Sequence, residues 1–144
     1  MKLEAIYDMW EKDSEIDRAN LDTESLAIGK LHSKYHRIYT NERLVQKKYE
    51  SELKQLRLEK QEFLIQGPSK ETMAKGWTLP PIGRVIKSEV GAYLDADKDI
   101  IEMTLKINLQ DEKVRLLESI IQVLMRRTYM IKNAIEFIRF ESGV

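Results

Sequence analysis

The chain has 144 residues, room for one domain. Its 24 basic and 24 acidic side chains cancel, which argues against a histone-like polycation but leaves a local basic face open. Cysteine is absent, so there is no disulfide framework, thiol nucleophile or thiolate metal site, as suits a reducing cytosol.

The N-terminus carries Glu4 within its first turn and does not read as a signal peptide. No apolar run approaches membrane-spanning length, so a soluble intracellular protein is expected. Residues 2–12 place Leu3, Ile6, Tyr7 and Trp10 on one helical face; so short a helix is marginal alone and must dock. Asp13 to Asn20 is a charged connector. Asp22 is the N-cap candidate of a second, long helix that runs to Gln66, with Glu24 in its first turn. The seam of that helix is Ile28, Leu31, Tyr35, Ile38, Val45, Tyr49, Leu53, Leu56 and Phe63, interrupted by Glu42. Gly67-Pro68 ends it. Charge is uneven along this part: residues 1–29 hold three bases against eight acids, and residues 30–60 hold nine bases against four acids.

Residues 67–92 contain all three prolines and four of the six glycines, an irregular connection longer than a simple turn. Trp77 lies there among Lys70, Lys75, Arg84 and Lys87. Two readings stand: a stacking platform for single-stranded nucleic acid, or a loop tucked onto the helices by Trp77, Leu79, Ile82 and Val85, which we prefer. The alternation Ile101-Glu102-Met103-Thr104-Leu105 leaves a short strand open.

From about Asp97 to Glu141 apolar residues recur at steps of three and four: Ile100, Met103, Ile107, Val114, Leu117, Ile121, Leu124, Ile131, Ile135, Ile138. Gln110 and Thr128 interrupt them. At 1.5 Å per residue this helix is roughly 65 Å long. A second stripe, including Leu105, Leu116, Ile120, Met130 and Phe137, asks for more than one neighbour. We read the helix as an oligomerisation element first and part of a monomer core second, with Val114, Leu117, Ile121, Leu124, Ile131, Ile135 and Ile138 as the interface. The expected fold is mainly α: a short N-terminal helix, two long helices joined by an irregular Gly/Pro loop, and a coiled-coil-like C-terminal helix. The single domain comprises an arm with a basic helix (1–66), the loop (67–92) and the oligomerisation helix (93–144).

Catalytic and metal-site patterns fail on their spacing. Asp95, Asp97 and Asp99 start like a calcium loop, but Ile100 takes the glycine position and Lys106 the distal glutamate position. His32 and His36 lie one turn apart, yet Ser33 follows the first and no third ligand suggests itself. No phosphate loop or nucleophile elbow is present. The chain does not read as an enzyme, and no cofactor is expected.

Leu94-Asp95-Ala96-Asp97-Lys98-Asp99 and the ending Ile131-Lys132 through Arg139-Phe140-Glu141-Ser142-Gly143 resemble the UvsY recombination mediators of T-even phages. Leu3-Glu4, Lys12-Asp13, Ile16-Asp17, Leu21 and Ser33-Lys34-Tyr35 extend the resemblance over nearly the whole chain, and the Trp77 loop departs from it. The resemblance implies an accessory protein of homologous recombination in the cytoplasm of an infected host bacterium. Such a mediator binds single-stranded DNA, contacts a RecA-like recombinase and helps it replace the phage single-strand-binding protein. It also implies a homo-oligomeric ring of about six or seven subunits. Leu56-Arg57-Leu58-Glu59-Lys60 resembles the family's DNA-contacting segment, which makes Arg57 and Lys60 the implied counterparts; Lys47, Lys48 and Lys54 join them on charge alone. The rival is a coiled-coil adaptor or assembly scaffold without DNA binding, which treats the basic helix as a solvated face.

Overall fold

A computed structural model describes residues 1–143. Six helices follow one another: α1 Leu3–Asp13, α2 Leu21–Leu26, α3 Ile28–Gln66, α4 Lys70–Ala74, α5 Val90–Asp95 and α6 Lys98–Glu141. No strand occurs among the described residues, and the alternating stretch at Ile101–Leu105 is absorbed into α6. The mainly α architecture with two long helices is the one expected. The start of the second helix differs. Asn20, not Asp22, is the N-cap of α2, its carbonyl accepting from Glu24 N at 3.0 Å, and α2 ends at Ala27 before α3 begins. Asp22 instead lies in the first turn, where its charge complements the helix dipole.

The chain forms two compact units: Met1–Val45 with Gln110–Val144, and Gln46–Leu109. Helices α3 and α6 contribute to both.

The first unit is built on Ile6, Tyr35, Leu117, Ile120 and Leu124, all at most 1% exposed, with Met9, Trp10, Leu31, Ile38 and Ile121 packed around them. Helix α1 docks through Ile6 and through Trp10, whose ring meets Tyr35 edge-on at 5.5 Å. Arg127 fixes the end of α1. Its Nη2 donates to the carbonyls of Asp13 (2.8 Å) and Ser14 (3.1 Å), two acceptors that a helix C-terminus leaves without intrahelical partners. Asp13 in turn accepts from Lys34 Nζ at 2.6 Å and from the Tyr35 hydroxyl at 2.7 Å. Two of the three polar breaks in the seams, Glu42 and Gln110, meet each other. Gln110 Nε2 donates to the Glu42 carbonyl (2.6 Å) and to Glu42 Oε2 (2.7 Å), and the Met1 amino group lies 3.1 Å from Glu42 Oε1. A buried amide and carboxylate are thereby satisfied together.

The second unit is built on Phe63, Leu64, Val85, Val90, Leu94 and Ile100. Gly67 stops α3 at φ +91°, and an added Cβ would come within 3.2 Å of Arg84 Nε. Ser69 and Thr72 form a reciprocal capping box for α4. The segment after it returns to α3, where Val85 N donates to the Leu64 carbonyl at 2.8 Å. Val85 is buried and Trp77 and Leu79 pack against this core, but Ile82 is 64% exposed, so the tucked-in reading of the loop describes three of its four apolar anchors. Helix α6 starts from Asp97, whose Oδ2 accepts from Ile100 N at 3.1 Å.

Candidate nucleic-acid interface

All five candidate DNA-contacting cations lie on α3 within the second unit. At roughly 100° per residue, Lys47, Lys54 and Arg57 share one stripe, while Lys48 is rotated away from it and Lys60 turns toward the core. Lys47, Lys48 and Lys54 are exposed. Lys48 has only a 4.0 Å contact to Glu52, one turn along the helix, and among the described residues no ion pair holds Lys47 or Lys54. The two cations singled out by family resemblance are placed differently from these three. Arg57 Nη1 lies 3.4 Å from Asp95 Oδ1. Lys60 is 7% exposed, with Nζ 3.2 Å from Asp97 Oδ1 and 2.7 Å from Asp99 Oδ2. The acidic stretch that sequence reasoning considered as an abandoned calcium loop is thus the counter-charge of the basic helix. Nothing in the spacing of residues 57–60 and 95–99 foretold that pairing; only their opposite signs hinted at it.

Beside Lys60 a cleft of about 630 Å³ opens, lined among others by Lys75, Trp77, Tyr93 and Asp99. The Trp77 ring is half-buried and meets Phe63 edge-on at 5.7 Å. Two ammonium groups approach it, Lys60 Nζ at 4.1 Å and Lys75 Nζ at 4.9 Å from the centroid. Lys75 also lies 3.3 Å from Glu59 Oε2.

The seven candidate interface residues of α6 divide by position, and all belong to the first unit. Val114, Leu117, Leu124 and Ile131 are at most 5% exposed within the chain itself, and Ile121 is half-buried. Ile135 and Ile138, each 39% exposed, continue the same stripe uncovered. Around them Tyr129, Met130, Phe137 and Phe140 are exposed as well, a concentration of large apolar side chains at the end of one helix. His32 and His36 stack with ring centroids 5.8 Å apart, and no group of three or more His, Asp or Glu among the described residues could hold a metal ion. No helix of the described residues is long and apolar enough to cross a membrane.

Crystal structures of the bacteriophage T4 recombination mediator protein UvsY share this fold. One superposes with a TM-score of 0.80 at 22% identity, covering 99% of each chain. Two others give 0.78 at 19% identity, the first covering 98% of this chain and 99% of that one, the second 95% and 98%. No curated protein sequence matches significantly. Residues 9–144 match the family described as "Recombination, repair and ssDNA binding protein UvsY", and on that near full-length match the chain belongs to the UvsY family.

Proposed function

We propose that the protein is a recombination mediator that binds single-stranded DNA and promotes loading of a RecA-like recombinase in place of a single-strand-binding protein, in the cytoplasm of an infected bacterium. The observation that carries the reading is the exposed stripe Lys47–Lys54–Arg57 on α3 of a chain in this family. Three cations on one helix give weak phosphate binding, because each releases a limited number of counterions. A homo-oligomeric ring of about six or seven copies repeats the stripe and raises apparent affinity by multivalency. Such weak, repeated contacts suit a mediator, which must release its strand to the recombinase.

Assembly is assigned to the uncovered end of α6. Ile135 and Ile138, with Tyr129, Phe137 and Phe140 nearby, are the apolar side chains that the chain's own core leaves to a second copy. The inner part of the seam supports that assembly indirectly, by packing the helix against α1 and α3.

Lys47→Ala, Lys54→Ala and Arg57→Ala combined test the DNA site. The triple variant removes no buried partner, so it should fold normally. Its affinity for a labelled single strand should fall, and the slope of log affinity against log salt should flatten by about 2, at roughly 0.7 per lost contact. Unchanged affinity and slope would refute the stripe as the site. Lys60→Ala is the poorer probe, since it strands Asp97 and Asp99 and acts on stability as well as on binding.

A further inference from the structure

We propose that the Trp77 cleft is a nucleotide site for the bound strand: a base stacks on Trp77, a phosphate is held by Lys60 and Lys75, and Asp97 and Asp99 occupy the phosphate's place when no strand is bound. The inference rests on the single-strand-binding reading and specifies a second contact for it. The composition of the cleft carries it. It sets Trp77, with Phe63 and Tyr93 also in its lining, beside two ammonium groups 4.1 and 4.9 Å from the Trp77 ring centroid, in a space of about 630 Å³. A nucleotide presents the complementary pair, a π face and an adjoining anion, and base–aromatic stacking tolerates any sequence. A purely apolar partner would make no use of the two ammonium groups, and a free anion would make no use of the ring.

The two lysines differ in how they are held. Lys75 keeps 48% of its side-chain exposure and one contact to Glu59, so its ammonium can leave the ring for a phosphate without unpacking the core. Lys60 keeps 9% and is clamped by two carboxylates. A phosphate reaches Lys60 only by displacing Asp97 and Asp99, and the acidic segment therefore competes with the strand. Arg57, held by Asp95 at 3.4 Å, is subject to the same kind of competition on the exposed stripe.

The two halves of the proposal predict opposite effects. Trp77→Leu should weaken binding of an oligothymidylate about tenfold, within the range of one lost stacked base, while leaving binding of an abasic strand of equal length unchanged. Asp99→Asn should tighten binding about fivefold, the scale of one partly exposed ion pair. Asp97 stays in place as a partner of Lys60 and as the capping acceptor that Ile100 N uses, so the buried cation and the start of α6 are both kept. In the otherwise unaltered protein the oligothymidylate should quench tryptophan emission, and in Trp77→Phe the remaining Trp10 emission should not respond. If the protein binds the strand but the quench persists in Trp77→Phe and the Asn variant binds no tighter, the cleft is a structural contact and the inference falls alone. If the unaltered protein binds no single strand, the inference falls together with the reading beneath it.

Discussion

Glu42 and Gln110 show how single residues carry information that a hydrophobic pattern registers only as defects. Each breaks the apolar seam of its helix, and each is the other's partner, with Gln110 Nε2 2.7 Å from Glu42 Oε2. Glu42→Leu alone leaves a buried amide without its side-chain acceptor and should destabilise the first unit by about 2 kcal/mol. Glu42→Leu with Gln110→Leu restores two apolar seams and should recover most of that loss, since replacing both members of a buried polar pair is often neutral or better. Urea unfolding of the two variants checks this; a double variant no more stable than the single would refute the pairing. The same carboxylate and Asp13 set the acid limit of the fold. For Asp13, burial pushes the pKa up, but hydrogen bonds from Lys34 and Tyr35 and the nearby charges of Lys34 and Arg127 outweigh it and hold the group below its usual 3.8. For Glu42, burial likewise raises it, and Gln110, the Met1 amino group and Lys113 bring it below its usual 4.5. Folded-state values below the unfolded ones stabilise the fold above about pH 4.5, and that stabilisation is lost as pH falls through the depressed values. Thermal unfolding should therefore be level from neutral pH to about 5 and drop steeply below 4, with a shallower drop in the double leucine variant.

At the scale of the element, α6 was legible in the sequence as a helix, but not in which part of its apolar stripe the chain covers itself. The period of its apolar residues and the run without Gly or Pro fixed its extent within a residue or so, from Asp97 to Glu141 against Lys98–Glu141. The same period could not tell whether a stripe is covered by another copy or by the chain's own α1 and α3, because both coverings demand the same side chains. Exposure separates them. Leu117→Ala should cost about 3 kcal/mol of folding stability, as a fully buried leucine does. Ile135→Asp with Ile138→Asp, at exposed positions, should instead lower the assembled mass in sedimentation while the far-ultraviolet circular dichroism of the helices is retained. An unchanged mass would remove the end of α6 from the interface. The break at Ala27 and the short helices α4 and α5 were not legible, since each is one or two turns held by tertiary packing and local caps rather than by a period.

For the whole molecule, the sequence revealed composition and asymmetry of charge but not what each charge meets. Arg57 and Lys60 are separated by nearly forty residues from the aspartates that hold them, and helical periodicity has no reach over that distance. A net charge of zero is compatible with strand binding because the 24 acids are spread along the whole chain, whereas Lys47 and Lys54 are exposed and, among the described residues, held by no ion pair. In the proposed ring this local basic stripe is repeated, and affinity would arise from number rather than from any one site. The central claim is single-strand binding, and fluorescence anisotropy of a labelled strand of about 20 nucleotides, titrated with the full-length protein across a salt series and again with unlabelled duplex as competitor, tests it most directly. The account predicts binding at low salt that weakens with a log–log slope of at least about −2 per engaged subunit and that duplex does not displace. Absence of binding at low salt by folded, assembled protein, or affinity indifferent to salt, would contradict it.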